Sequence, residues 1–298
     1  MTPSAAPQIF DRALGRARMR RALALGYESF LLERIAGDAL DRLSAVTRRF
    51  SRALDLGTPT ESFARALAAS KQADQFTRAA SNVERASASV VANEDMLPFA
   101  PGAFDLAISL LSLHSVNDLP GALIQIRMAL KADGLFIAAL LGGSTLTELR
   151  QSLIAAETEL LGGASPRIAP FADVRDMGAL LQRAGFALPV TDVDRVIARY
   201  QTPFDLMRDL RRMGMTNILS ERSRKPLRRG VLLRAAEIYG ERFADADGRL
   251  RATFDIVWLS GWVPHESQQK PLKPGSAKAR LADALKSSEL SAGEKAAR

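Results

Sequence analysis

The chain predicts an α/β fold, a mostly parallel sheet with helices on both faces, and three observations carry that prediction. Short apolar runs of strand length alternate with amphipathic helical segments from residue 53 to residue 141, the rhythm of βαβ units. The longest apolar stretch, Gly134 to Leu141, has strand length, and no run of about 18 apolar residues offers a membrane span. The 298 residues, 47% hydrophobic and 25% charged, suffice for one large core with additions.

Residues 1–50 read as a helical region, in which Leu32, Ile35, Ala36, Ala39, Leu40 and Leu43 recur at steps of three and four. A first strand is expected at Ala53 to Gly57, followed by a helix around Ser62 to Ala69 and a weak second strand at Gln75 to Ala79. Third, fourth and fifth strands fit Ala88 to Ala92, Phe104 to Leu111 and Gly134 to Leu141. Between the last two, Leu119 to Leu130 forms a helix capped by Asn117-Asp118, with Pro120 in its first turn. Leu146 to Leu161 is a further amphipathic helix closed by Gly162-Gly163. Asp173 to Ala184 is helical and Val190 to Tyr200 a strand, ending a core that spans 51–202. A basic helical insertion at 203–250 precedes the last strand at 251–263, and a Gln, Lys, Pro and Ser-rich segment at 264–298 is expected to be a flexible tail.

Cysteine is absent, which excludes disulfides, thiolate metal sites and a cysteine nucleophile and fits a reducing compartment. The first ten residues lack the apolar core of an export signal. A cytoplasmic location is expected, with peripheral contact at the inner face of the membrane open to it. The net charge of +8 is concentrated between Arg195 and Arg234, where Arg208, Arg211, Arg212, Arg222, Arg224, Lys225, Arg228, Arg229 and Arg234 face few acids. No aromatic series is interleaved with this patch, so an acidic or flexible protein is the expected partner rather than nucleic acid.

Open α/β sheets bind ligands at the C-terminal ends of their strands, which selects the loops after Leu56, Ala79, Ala92 and Leu111. The first carries Asp55 and Gly57 but continues Thr58-Pro59-Thr60-Glu61, where a glycine-rich turn would let a nucleotide approach. The third holds Asn93, Glu94 and Asp95, the fourth Ser112 and His114.

Ala53 to Gly57, Leu97-Pro98-Phe99, Phe104-Asp105-Leu106, Leu113-His114 with Val116 to Pro120, and Leu130 to Gly134 together resemble a class I methyltransferase. Gly142 to Arg150, Gly162 to Pro166, Pro170-Phe171 and Gly261 to Gln268 narrow the resemblance to the complex I assembly factors of methyltransferase fold. The resemblance implies a Rossmann-like, seven-stranded sheet, S-adenosylmethionine as cofactor, and a respiratory NADH:ubiquinone oxidoreductase subunit as partner. The mitochondrial members are regarded as arginine hydroxylases. A second similar family, the malonyl carrier-protein methyltransferases, implies a thioester or small-acid substrate, and loss of chemistry would leave a scaffold. Fold alone does not choose among the three.

The cofactor residues so implied are Asp55, Gly57, Asn93, Glu94, Asp95 and Ser112. Departures from the pattern weaken the site. The acid that takes the ribose hydroxyls falls at Ala80, and each lost charge-assisted contact costs roughly 1.5–3 kcal/mol, about tenfold to hundredfold in affinity. For His114 two readings stand, a proton acceptor or substrate-orienting group, and a histidine that caps or packs beneath the next helix. His265 completes the histidines, and no metal site is expected. Glu157 and Glu159 read as solvated charges, Asp192 and Asp194 as the polar edge of a strand, and Trp258 and Trp262 as one apolar face.

Overall fold

A computed structural model describes residues 8–81, 90–171 and 173–268. Helices α1 (Arg12–Ala24) and α2 (Phe30–Ser44) precede β1 (Phe50–Leu56), α3 (Ser62–Ser70), β2 (Ala73–Ala80), β3 (Val90–Val91) and β4 (Phe104–Leu110). Then come α4 (Leu119–Ala129), β5 (Leu130–Leu141), α5 (Thr147–Leu161), α6 (Val174–Arg183), β6 (Ala187–Tyr200), α7 (Pro203–Arg212), α8 (Arg229–Phe243) and β7 (Leu250–Trp262). The seven strands lie in the order β3-β2-β1-β4-β5-β7-β6. Pairing is parallel from β3 through β5, and β7 runs antiparallel to both β5 and β6. The order reverses between β1 and β4, which puts their C-terminal loops side by side.

Side chains alternate between the faces of the sheet with the period of two that a pleated strand imposes. In β5, Leu135, Ile137, Ala139 and Leu141 join the core shared with α2, α5, α7 and α8, whereas Phe136, Ala138 and Leu140 meet α4 and α6. Both faces are covered, so the parallel strands read as continuous apolar runs and not as alternating ones. The apolar stripe of α2 buries Leu32, Ile35, Ala39 and Leu43, each contributing on the order of 1.5–3 kcal/mol through burial.

The expected strands and helices are present, with ends shifted by a few residues. The second strand is the full β2, and the fifth begins at Leu130. Residues 88 and 89 of the expected third strand lie outside the described residues, as does the expected flexible tail from 269 onward. The edge strand β6 carries charge, which discourages further pairing. Its Asp192 and Asp194 bind Arg42 at 2.8 Å and Arg34 at 3.2 Å on α2. Trp258 is buried under the Arg42 guanidinium, 4.5 Å from the ring centroid, and Trp262 is partly buried beside the same core.

Two acids stitch the core. Asp105, at the start of β4, accepts from the Ser51 and Arg52 amides at 2.8 Å each. Glu157 is a correction to the sequence reading: it is 1% exposed, accepts from the Ser165 amide at 2.8 Å and pairs with Arg167 at 2.5 Å. The loop after α5 folds back over the helix and supplies those donors, so a residue on a polar helical stripe becomes interior. Glu159, two positions on, is exposed and bound to Arg234.

The described residues up to Pro264 belong to one compact unit, and those from His265 to a second. In the latter, the described residues form a turn in which His265 Nδ1 meets Ser267 Oγ at 2.7 Å.

Candidate functional site

The loop after β1 turns at Gly57, whose φ of +74° is unfavourable for any residue bearing a Cβ. A methyl group there would fall onto Ser112 Oγ and Glu94 Oε1. Gly57 is therefore required by close packing of three loops, each at the C-terminal end of a strand. The Ser112 hydroxyl donates to Glu94, and Glu94 also binds the guanidinium of Arg12, the first residue of α1. Arg12 Nε lies 3.4 Å from Asp95, and its Nη1 donates to Ser115 O and Oγ at 3.1 and 3.0 Å. Glu94 is 5% exposed, so this is a largely desolvated ion pair in which the guanidinium is hydrogen-bonded to three oxygens, while its enclosed Nε faces Asp95 without a hydrogen bond.

Asp55 lies under the same loop, fully buried. Thr58 Oγ1 donates to it, and Arg78 from β2 approaches it at 3.7 Å while bonding Thr58 O at 2.7 Å. Burial pushes the Asp55 pKa up to about 7, and the Thr58 hydrogen bond and the Arg78 charge oppose that shift.

These groups surround a cavity of about 260 Å³. Its lining includes Gly57 to Glu61, Ala80, Ser81, Glu94, Ser112 and Ser115, with Arg12, Arg16, Arg65 and Arg78. The arrangement does not fit S-adenosylmethionine in the manner the resemblance implies. The end of β2 offers Ala80 where a carboxylate would take the ribose hydroxyls. Glu94 and Asp55, the acids that would face a positively charged cofactor, are each paired with an arginine of the chain itself. No step is routed through that cofactor.

After β4 the chain makes a single turn of 3₁₀ helix, Leu113–Ser115, which presents His114 to a second cavity of about 800 Å³. The ring is partly exposed toward that space, but Nδ1 is enclosed and has no hydrogen-bond partner among the described residues. The Phe171 ring packs edge-on against it, 6.0 Å between centroids. Burial and the nearby Arg12 charge push the His114 pKa down to about 4, so the imidazole is neutral at physiological pH. The ring contact of His114 is thus with Phe171, on the loop after the fifth helix. The Asp118 side chain caps α4 through the Gly121 amide at 2.9 Å.

The N-terminal segment and the insertion close over these loops. The Asp11 and Ser220 amides donate to Ile218 O and Ile9 O at 2.8 Å each, and the Asn117 side chain brackets Phe10 at 2.8 and 3.0 Å. Ser115 and Ile218 line both cavities, so the two spaces are neighbours.

Of the residues read from the sequence, Gly57, Glu94 and Ser112 converge on the smaller cavity, Asp55 lies beneath it, and Asp95 reaches it through Arg12. Asn93 lines a separate surface depression with Arg16 and Ser81. Sequence reasoning missed Arg12 and Arg78. Arg12 is one of several arginines in the first helix, and nothing in its spacing announces that Glu94 awaits it 82 positions away. Among the described residues there is no cluster of three or more His, Asp or Glu able to hold a metal ion.

A family model described as a methyltransferase domain matches residues 27–189. The chain is 40% identical over 293 residues to the mitochondrial arginine-hydroxylase NDUFAF5 of Danio rerio, spanning 95% of this chain and 91% of that protein. It is 42% identical over 280 residues to the Homo sapiens protein of the same name, covering 90% and 81%. The malonyl-[acyl-carrier protein] O-methyltransferase of Laribacter hongkongensis is 37% identical over 191 residues, 64% of this chain and 62% of that protein.

Proposed function

The chain belongs to the NDUFAF5 arginine-hydroxylase family with its methyltransferase fold, and from that premise we propose that it receives an arginine of a respiratory complex I subunit at the C-terminal end of its sheet. The observation that supports this reading is the guanidinium already seated there. Glu94, Asp95 and Ser115 hold Arg12 as they would hold an incoming arginine. A partner side chain takes the cradle as Arg12 withdraws with the start of α1. The exchange substitutes one buried pair for another, so the desolvation of Glu94 is not incurred a second time.

His114 stands one residue before Ser115 and is neutral at pH 7, so it accepts a hydrogen bond from a group entering beside the cradle. Hydroxylation inserts one oxygen atom and consumes an external oxidant. The roles assigned to this chain are binding the guanidinium, excluding water from it and orienting it. The exposed Arg211, Arg228 and Arg229 give the partner, or an anionic membrane face, a basic surface to meet. Arg212 is engaged internally with Gly26 O at 3.0 Å and Glu28 at 3.5 Å, so it adds less to that surface than its position in the sequence implies.

The test is genetic and chemical together. Deleting the gene should lower membrane NADH:quinone activity, leave growth independent of biotin, and remove one oxygen from an arginine of a complex I subunit in a mass spectrum of the purified enzyme. The wild-type gene should restore the NADH:quinone activity and the arginine oxygen, and Glu94→Gln should not. A biotin requirement in the deletion strain would move the reading to carrier-protein methylation. Normal modification in the Glu94→Gln strain would reject the cradle.

A further inference from the structure

The larger cavity has a composition that an arginine site would not need. Its walls are apolar, with Leu146, Leu149 and Leu153 from the α5 side facing Phe171, Met207 and Leu210. Its polar lining is cationic: Arg18, Arg167, Arg211, Arg222, Arg224 and Lys225 contribute, and no carboxylate does. Glu157 answers Arg167, and Asp11 answers Arg222 while also attracting Arg18 and Arg224. Arg211 and Lys225 have no ion pair among the described residues and are exposed. Burial and the Arg222 and Arg21 charges lower the Arg18 pKa, as crowding of like charge requires.

We infer that this cavity binds a single-chain anionic amphiphile, an acyl or alkyl chain laid between α5 and α7 with its carboxylate or phosphate head among the arginines and Lys225. A volume of about 800 Å³ falls within the roughly 300–1,000 Å³ of small-molecule sites. Each methylene buried against such walls strengthens binding about fourfold, and Arg211 and Lys225, which have no ion pair among the described residues, supply the head with charge-assisted donors. A guanidinium or any other cation would be repelled from the same space. The inference concerns a different space from the arginine cradle, although His114 and Arg211, named in the arginine reading, also line this cavity.

Calorimetric titration of the full-length protein with laurate, dodecyl phosphate, dodecanol and inorganic phosphate tests it. Laurate or dodecyl phosphate should bind saturably at one site, and the preference between them tells a carboxylate head from a phosphate. Dodecanol and inorganic phosphate should each bind at least about tenfold more weakly, since each lacks half of the recognition. Reversing the exposed pair with Arg211→Glu and Lys225→Glu should weaken the anionic ligand by roughly tenfold or more at unchanged melting temperature. Met207→Trp, which fills the wall, should abolish chain binding. Dodecanol binding as tightly as laurate, anionic binding unmoved by the charge reversals, or binding of neither anionic amphiphile would each overturn the assignment.

Discussion

Replacing His114 by phenylalanine should change how stability depends on pH, and the structure gives the size of the change. The ring packs edge-on against Phe171 and its Nδ1 makes no hydrogen bond among the described residues, so phenylalanine keeps the packing and deletes only the titration. Burial lowers the pKa from 6.5 to about 4 in the folded state. Between those values the unfolded chain binds a proton that the folded chain refuses. His114 therefore costs the wild type stability as pH falls below 6.5, and the loss levels off near 4. At pH 5 the linkage amounts to about 2 kcal/mol, against a few tenths at pH 7. Asp55 titrates in the opposite sense: its raised pKa favours the folded state at low pH, and that advantage is lost as pH rises toward 7. Because Asp55 is present in both proteins, its contribution cancels in the comparison. Urea unfolding of both at pH 7 and pH 5 should show the variant gaining about 2 kcal/mol on the wild type at the lower pH. Parallel pH profiles would refute the enclosed, neutral histidine.

Further predictions follow from the packing. Gly57→Ala should destabilise the fold by roughly 2–4 kcal/mol in denaturant unfolding, combining left-handed strain with a collision against Ser112 and Glu94; a change under a few tenths would mean the three loops are not packed as described. Arg167→Ala leaves Glu157 as a buried charge with one amide donor. It should cost about 2–3 kcal/mol, below the 3–5 of a fully buried pair because Arg167 is 19% exposed, and neutral behaviour would return Glu157 to solvent. Arg12→Ala opens the cradle, so arginine amide should bind the variant about tenfold more tightly than the parent by calorimetry. Equal affinity would sink the exchange of one guanidinium for another.

The fold was legible because its signals are local. The strand runs at 53–56, 104–110 and 134–141, the Asp118 cap with Pro120, and the Gly162 stop are all written within a few neighbouring residues, and the βαβ rhythm orders them. The candidate site was half legible. Gly57, Glu94, Ser112 and His114 could be named because strand ends of an open sheet hold ligands whatever the chemistry. Their electrostatic state could not be read. That Glu94 binds Arg12, that Asp55 meets Arg78, and that Glu157 is interior each depend on groups brought together from distant segments or by a loop folding back. The same holds for the cationic cavity. The sequence shows an excess of arginine between 195 and 234, but only the folded insertion decides that Arg212 pairs with Glu28 while Arg211, Arg224 and Lys225 line an apolar space. Hydrophobic period and turn chemistry act over a few residues, so the sequence by itself determined the elements and their order. Charge pairing and desolvation act through space, so only the tertiary structure decided which of the charged groups are paired and buried.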